Sequence, residues 1–246
     1  MTNDTQPAIK ITSIWEPGLR IWHWANALSI LLLLETSFIF DWHKELGLSK
    51  ETSGLFKKTH WIVGLVFTGF FLYRFYLLFR GKTFSRARDL RIAEKGQSVM
   101  EVLRHEISIH KTPPRDRNGQ PIEPPEPGHN RLGRFLYVPL LFILLPLQIV
   151  TGALWGSLNW GYWPVPALHT LDHATRKSID DLLSNIHSTG MYIIVGIVVL
   201  HIGGVIMSEL TFGTNLLSSM VHGKKNLPPQ AVIEYEKILG EEQQAD

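Results

Sequence analysis

His23, His60, His187 and His201 each border or lie inside a long apolar run. An ionisable side chain in such a place is costly and marks a function by default. His187 and His201 are fourteen residues apart. At about 100° and 1.5 Å per residue, a helix puts them on one face, about 21 Å apart along its axis. Neutral imidazole is a common metal and haem ligand, and two imidazoles facing each other across packed helices can fill both axial positions of one haem iron. With both positions filled there is no open site for oxygen chemistry, so the expected job is electron transfer. Two other readings stay open on spacing alone: polar residues at a membrane–water boundary, and a histidine-lined path for a metal ion.

The elements that must position these residues are legible as apolar blocks at 21–40, 61–79, 135–155 and 187–207. Glu35 and Arg74 are their only formally charged residues. A bilayer core of roughly 30 Å takes about 20 helical residues, so each block predicts one transmembrane span. The fold class expected is all-α, an integral membrane four-helix bundle. A mean hydropathy of +0.04 conceals this, because the blocks alternate with long polar stretches. Trp22, Trp42, Trp61, Tyr137, Trp155 and Trp160 fall near block ends, where an aromatic belt sits. Pro139 and Pro146 are tolerated in membrane helices, where neighbours satisfy the freed backbone groups.

Lysine and arginine set the orientation. The N-terminal segment, the stretch 80–134 and the C-terminal segment together hold seventeen of them, and the connections 41–60 and 156–190 hold six. The positive-inside rule therefore predicts both termini and a long loop, 81–133, in the cytoplasm. Within that loop, 97–109 has helical apolar spacing suited to a membrane surface, and the proline-rich 112–127 is expected to be irregular. A membrane domain would span 1–225, with 226–246 a polar tail. By depth the histidines then form an outer pair, His60 with His187, and an inner pair, His23 with His201.

Composition removes other classes. With no cysteine, disulfides, Cys-ligated iron–sulfur clusters and covalent c-type haem are excluded. A net charge of +2 lacks the basic excess of a nucleic-acid-binding domain.

The strings RIWHW (20–24), THWIVG (59–64), YRFY (73–76), GHN (128–130), TG (151–152) and IHSTGMYIIVGIVVLH (186–201) carry a resemblance over roughly residues 14–225. They are similar to the b-type cytochrome subunit of membrane-bound nickel–iron hydrogenases, in a superfamily shared with the gamma subunit of formate dehydrogenase. NLLSSMVHGKK (215–225) resembles the hydrogenase branch in particular. The resemblance implies a multi-pass anchor in a bacterial inner membrane with two non-covalent b haems. Its ligand pattern falls on His23 with His201 and on His60 with His187. It implies electron exchange between a periplasmic redox enzyme, a nickel–iron hydrogenase first, and the membrane quinone pool. The substrate-converting chemistry would belong to the partner. It also implies a quinone pocket beside the cytoplasmic-side haem, which makes His129 and Asn130 the residues to hydrogen-bond a quinone carbonyl. The same two residues also read as a helix-entry motif, since Asn is a good N-cap. The chain departs from the branch at Glu35 and at 207–210, where Met-Ser-Glu-Leu stands in place of an Arg-Glu-Asp run.

The other polar residues carry less. Arg74 is fourteen residues after His60, at the depth of the inner haem, and reads either as a partner for a haem propionate or as a side chain snorkelling to the surface. Glu35 reads as a proton-passing group or a helix–helix contact, and Gln148 as a helix–helix contact. His169 and His173 have helical metal-ligand spacing without a third ligand. Alternatives in function are the same quinone-linked role with a multihaem cytochrome c or a molybdenum reductase, and a metal-ion transporter.

Overall fold

A computed structural model describes residues 10–93, 96–111 and 126–243. The order is β1 (Lys10–Ser13), α1 (Pro17–Asp41), α2 (Lys50–Arg80), α3 (Val99–Lys111), α4 (Arg131–Pro139), α5 (Leu145–Trp160), α6 (His173–Phe212), α7 (Leu216–His222), β2 (Lys224–Leu227) and α8 (Pro229–Gln243). Four stretches among the described residues are long and apolar enough to cross a membrane: Pro17–Asp41, Lys50–Arg80, Arg131–Trp160 and His173–Phe212. Among the described residues the fold is therefore all-α apart from one antiparallel ribbon, in which Lys10 pairs with Leu227 and Ser13 with Lys224. Most of the expected irregular segment 112–127 lies outside the described residues.

Local chemistry sets the ends of these helices. Pro17 opens α1, where its missing N–H costs nothing. The Asp172 carboxylate accepts the N–H groups of Ala174 and Thr175 at 3.1 and 3.0 Å and caps α6. Gly161, at φ +65°, ends α5 in the left-handed region. Between α4 and α5, residues Leu140–Leu144 form a π turn in which Leu145 N–H donates to the Leu140 carbonyl. Pro146 has no N–H for the carbonyl four residues back, and a wider turn beside it accommodates that loss.

The chain divides into two compact units. One holds residues 22–73 and 139–198, the larger part of the apolar helices. Its interior includes Phe67, Phe71, Leu141, Leu145, Leu158 and Leu183, while Leu31, Phe38, Ile62, Val150 and Ile193 point outward. Outward apolar side chains on helices of this length are what a lipid environment requires.

The other unit holds the described residues among 1–21, 74–138 and 199–246. Trp15, Leu19, Leu227 and Ala231 are buried in it, and Trp15 Nε1 donates to Ser219 Oγ at 3.0 Å. The polar C-terminal segment contributes α8, held by Arg86–Glu242 at 2.9 Å and by an Arg88–Glu241 ion pair.

Candidate functional site

His60 on α2 and His187 on α6 lie in the same unit with ring centroids 6.3 Å apart at 70°. Each ring is held from behind through Nδ1. His60 Nδ1 lies 3.1 Å from Thr36 Oγ1 and 3.1 Å from the Leu33 carbonyl, both on α1. The Thr36 hydroxyl spends its proton on the Leu32 carbonyl at 2.6 Å, so its oxygen must accept. His187 Nδ1 lies 3.0 Å from Thr151 Oγ1 on α5, and Thr151 likewise donates to the Leu147 carbonyl at 2.7 Å. Both imidazoles are thereby set as Nδ1–H tautomers with an Nε2 lone pair. Among the described residues nothing hydrogen-bonds either Nε2. Orientation of a ligand histidine through its second nitrogen is the usual outer-shell device.

This geometry fits a shared metal. Two imidazoles bound through Nε2 at about 2 Å, with each ring centre about 1 Å further on, have centroids about 6 Å apart. The surroundings fit a flat apolar group as well: Phe40 stands 5.5 Å from the His60 ring and Trp155 5.9 Å from the His187 ring. A Cβ at position 152 would meet His187 Cε1 at 2.9 Å, so only glycine lets α5 come this close. Gln148 Nε2 donates to the His187 carbonyl at 3.0 Å and is, as read, a helix–helix contact. On the same helix Trp155 Nε1 and Asn159 Nδ2 both donate to Asp180 Oδ1 at 2.7 Å.

His23, beside Trp24 on α1, belongs to this same unit, and His201 to the other. In that other unit His129 interacts electrostatically with His201. His129 Nδ1 makes a short contact with Asp89 Oδ2, and its ring stacks on Tyr137 at 5.7 Å and 5° and leans on Trp15 at 4.9 Å. Arg134 reaches the other Asp89 oxygen at 3.5 Å. Gly128 is required here: a Cβ would lie 2.3 Å from Phe84 Cδ1 and 2.6 Å from Asp89 Oδ1.

Asn130 Oδ1 accepts the Gly133 N–H at 2.6 Å, so its carbonyl caps α4 and only its amide N–H groups remain for a ligand. Arg74 is fully buried rather than snorkelling. Its Nε donates to Tyr137 Oη at 2.6 Å and its Nη1 to the Ser85 carbonyl at 2.7 Å.

Lys225 and Asp89 join this region without any signal in the sequence. Lys225 on β2 is 3% exposed, and its Nζ donates to the carbonyls of Glu126, Pro127 and Gly128 at 2.9, 3.1 and 3.3 Å. Burial pushes its ammonium down to about 8, against the pull of Glu126, Asp89 and Glu209. Burial also raises the Glu126 carboxyl, with Arg134 and Arg131 opposing.

The remaining candidates do not assemble. Glu35 lies on an exposed face of α1, not in a polar interior. His169 Nδ1 is engaged by the Leu158 carbonyl at 3.1 Å, and no group of three or more His, Asp or Glu among the described residues could hold a metal ion.

Membrane-length helices around an oriented imidazole pair define the class of membrane cytochromes of the b type. The chain belongs to the prokaryotic cytochrome b561 family, whose sequence profile matches residues 14–223. Haem b is the cofactor that membership implies. The chain is similar to proteins named "Probable Ni/Fe-hydrogenase B-type cytochrome subunit". That of Cupriavidus necator is 26% identical over 225 residues, covering 88% of this chain and 87% of the relative. That of Rhizobium leguminosarum is 27% identical over 222 residues, covering 86% and 87%. The Escherichia coli K12 relative, named for hydrogenase 1, is 25% identical over 226 residues, covering 87% and 90%. No solved structure matches the chain.

Proposed function

We propose that the chain is the membrane-anchoring dihaem subunit of a respiratory complex, passing electrons between a periplasmic nickel–iron hydrogenase and the quinone pool. The observation that carries the reading is the His60–His187 pair, with both Nδ1 atoms engaged and a 6.3 Å centroid separation. The names of the relatives supply the hydrogenase partner. The lysine and arginine bias supports a bacterial inner-membrane topology with both termini cytoplasmic. On that topology His60 and His187 bind the outer haem b, near the partner. His23 and His201, paired by sequence depth, bind the inner one.

Haem b, when bound, supplies a one-electron couple, and the chain's own residues do the rest. Thr36, Leu33 and Thr151 hold the outer imidazoles in the ligating tautomer. Arg74 offers a buried cation to a haem propionate. A quinone takes up two electrons and two protons to become quinol. At the quinone site the Asn130 amide and His129 hydrogen-bond a carbonyl: with the Asp89 carboxylate on Nδ1, the protonated His129 ring donates its Nε2–H to that carbonyl and can pass this proton to the reduced quinone.

Membranes carrying the complex provide the test. Hydrogen-driven reduction of an artificial dye by the hydrogenase should survive His60→Ala, and hydrogen-driven quinone reduction should be lost. Quinone reduction that persists in the variant at the wild-type rate overturns the reading.

A further inference from the structure

A cavity of about 370 Å³ opens in the unit that carries the β ribbon, lined by Glu16, Arg20, Lys82, Phe84, His222 and Tyr235 among others. That volume is within the range of small-ligand sites, roughly 300–1,000 Å³. The charges lining it are unbalanced. Neither Arg20 nor Lys82 lies within ion-pair distance of a carboxylate among the described residues. Arg20 gives one guanidinium nitrogen to the Val221 carbonyl, while its Nε is buried without a hydrogen-bond partner. The acid on the wall, Glu16, accepts the backbone N–H of Lys82 at 3.0 Å and so helps fix the residue whose ammonium stays open. His222 Nδ1 accepts the Lys224 N–H at 3.0 Å and its Nε2–H goes to Ser218 Oγ at 3.2 Å, so the imidazole is held within the chain and the ligand donors are Arg20 and Lys82.

The cavity also has a definite depth. Arg20 immediately precedes the apolar run 21–40, and Lys82 follows the run 61–79 by three residues. Both cations therefore stand at the end of a span, the level of lipid headgroups, where basic pockets recognise acidic lipids. Phe84 and Tyr235, stacked at 6.0 Å and 18°, give the wall an apolar part beside the charges. We infer that this cavity binds a phosphate anion, of the kind carried by an acidic phospholipid headgroup, between Arg20 and Lys82. The site is separate from the residues assigned to haem and quinone.

The purified full chain is tested by native mass spectrometry and thermal melting, with phosphatidylglycerol, phosphatidylcholine or inorganic phosphate added. Lys82→Gln is the primary variant, because the Lys82 side chain holds no other element in place. Arg20→Gln is the second variant, and Lys224→Gln, an exposed lysine outside the cavity, is the charge control. The expected result is retention of phosphatidylglycerol over phosphatidylcholine, weakened about tenfold by Lys82→Gln and by Arg20→Gln but not by Lys224→Gln. Stabilisation by phosphatidylglycerol alone identifies a lipid headgroup as the source of the phosphate. Equal stabilisation by inorganic phosphate, with the same variant pattern, identifies the free anion. Retention unchanged in both cavity variants, or no binding of either probe to the wild type, overturns the inference.

Discussion

Thr151 holds His187: the threonine hydroxyl donates to the Leu147 carbonyl at 2.7 Å, and its oxygen stands 3.0 Å from the imidazole Nδ1. Thr36 does the same for His60 from α1. Two threonines on different helices thus set two tautomers. Thr151→Val keeps the shape and removes the acceptor. It should weaken haem retention at the outer site by about 10–100-fold, the usual cost of losing an orienting partner. Haem content after dialysis against apomyoglobin, a haem scavenger, checks this, and retention equal to wild type would contradict it.

Asp89 stands in the same relation to His129. Asp89→Asn should leave haem content unchanged while slowing quinone reduction by about 10²–10⁴-fold and shifting its pH profile, because the carboxylate that holds the Nδ1 proton is gone. Steady-state quinone reduction across pH is the measurement. A variant that loses haem, or keeps the wild-type profile, would contradict the assignment.

Gly128 admits no side chain, since a Cβ would overlap Phe84 and Asp89. Gly128→Ala should cost about 1–3 kcal/mol of stability, as overpacking does, and should displace His129 from Tyr137. Thermal melting together with quinone affinity reads both effects. An unchanged quinone affinity would show that this turn does not position His129.

Lys225 makes stability depend on pH. Its folded value of about 8 is below the ordinary 10.5. Across that window the unfolded chain binds a proton that the folded chain lacks, so stability rises with pH. The melting temperature of the wild type should therefore gain on that of Lys225→Met between about pH 8 and about pH 10. Parallel pH curves for the two proteins would contradict the burial argument.

The long helices and the histidine spacing were legible because a bilayer-length apolar run and a fourteen-residue repeat are local properties of the chain. Gly152 and Thr151 were visible only as a Thr-Gly pair within the family resemblance. That the threonine accepts an imidazole proton and the glycine makes room for the ring depends on how α5 rotates against α6, which no local pattern encodes. Asp89 and Lys225 were illegible for a related reason. One is among many charges in a polar loop and the other at the edge of a short strand, and their partners lie 40 and 97–99 residues away. The polar C-terminal segment concealed α8 because only two of its apolar residues, Ala231 and Val232, are buried, while Ile233 points outward and charged residues dominate the rest. Glu35 was misleading in the opposite direction: its depth suggested an interior role, and the rotation of α1 puts it outside.

The most direct measurement is a reduced-minus-oxidised visible spectrum with haem counted per polypeptide, on the wild type, His60→Ala and His201→Ala. Two b haems in the wild type and one in each variant is the predicted result, since each substitution empties one of two independent pairs. A well-folded wild-type protein that binds no haem would contradict the account.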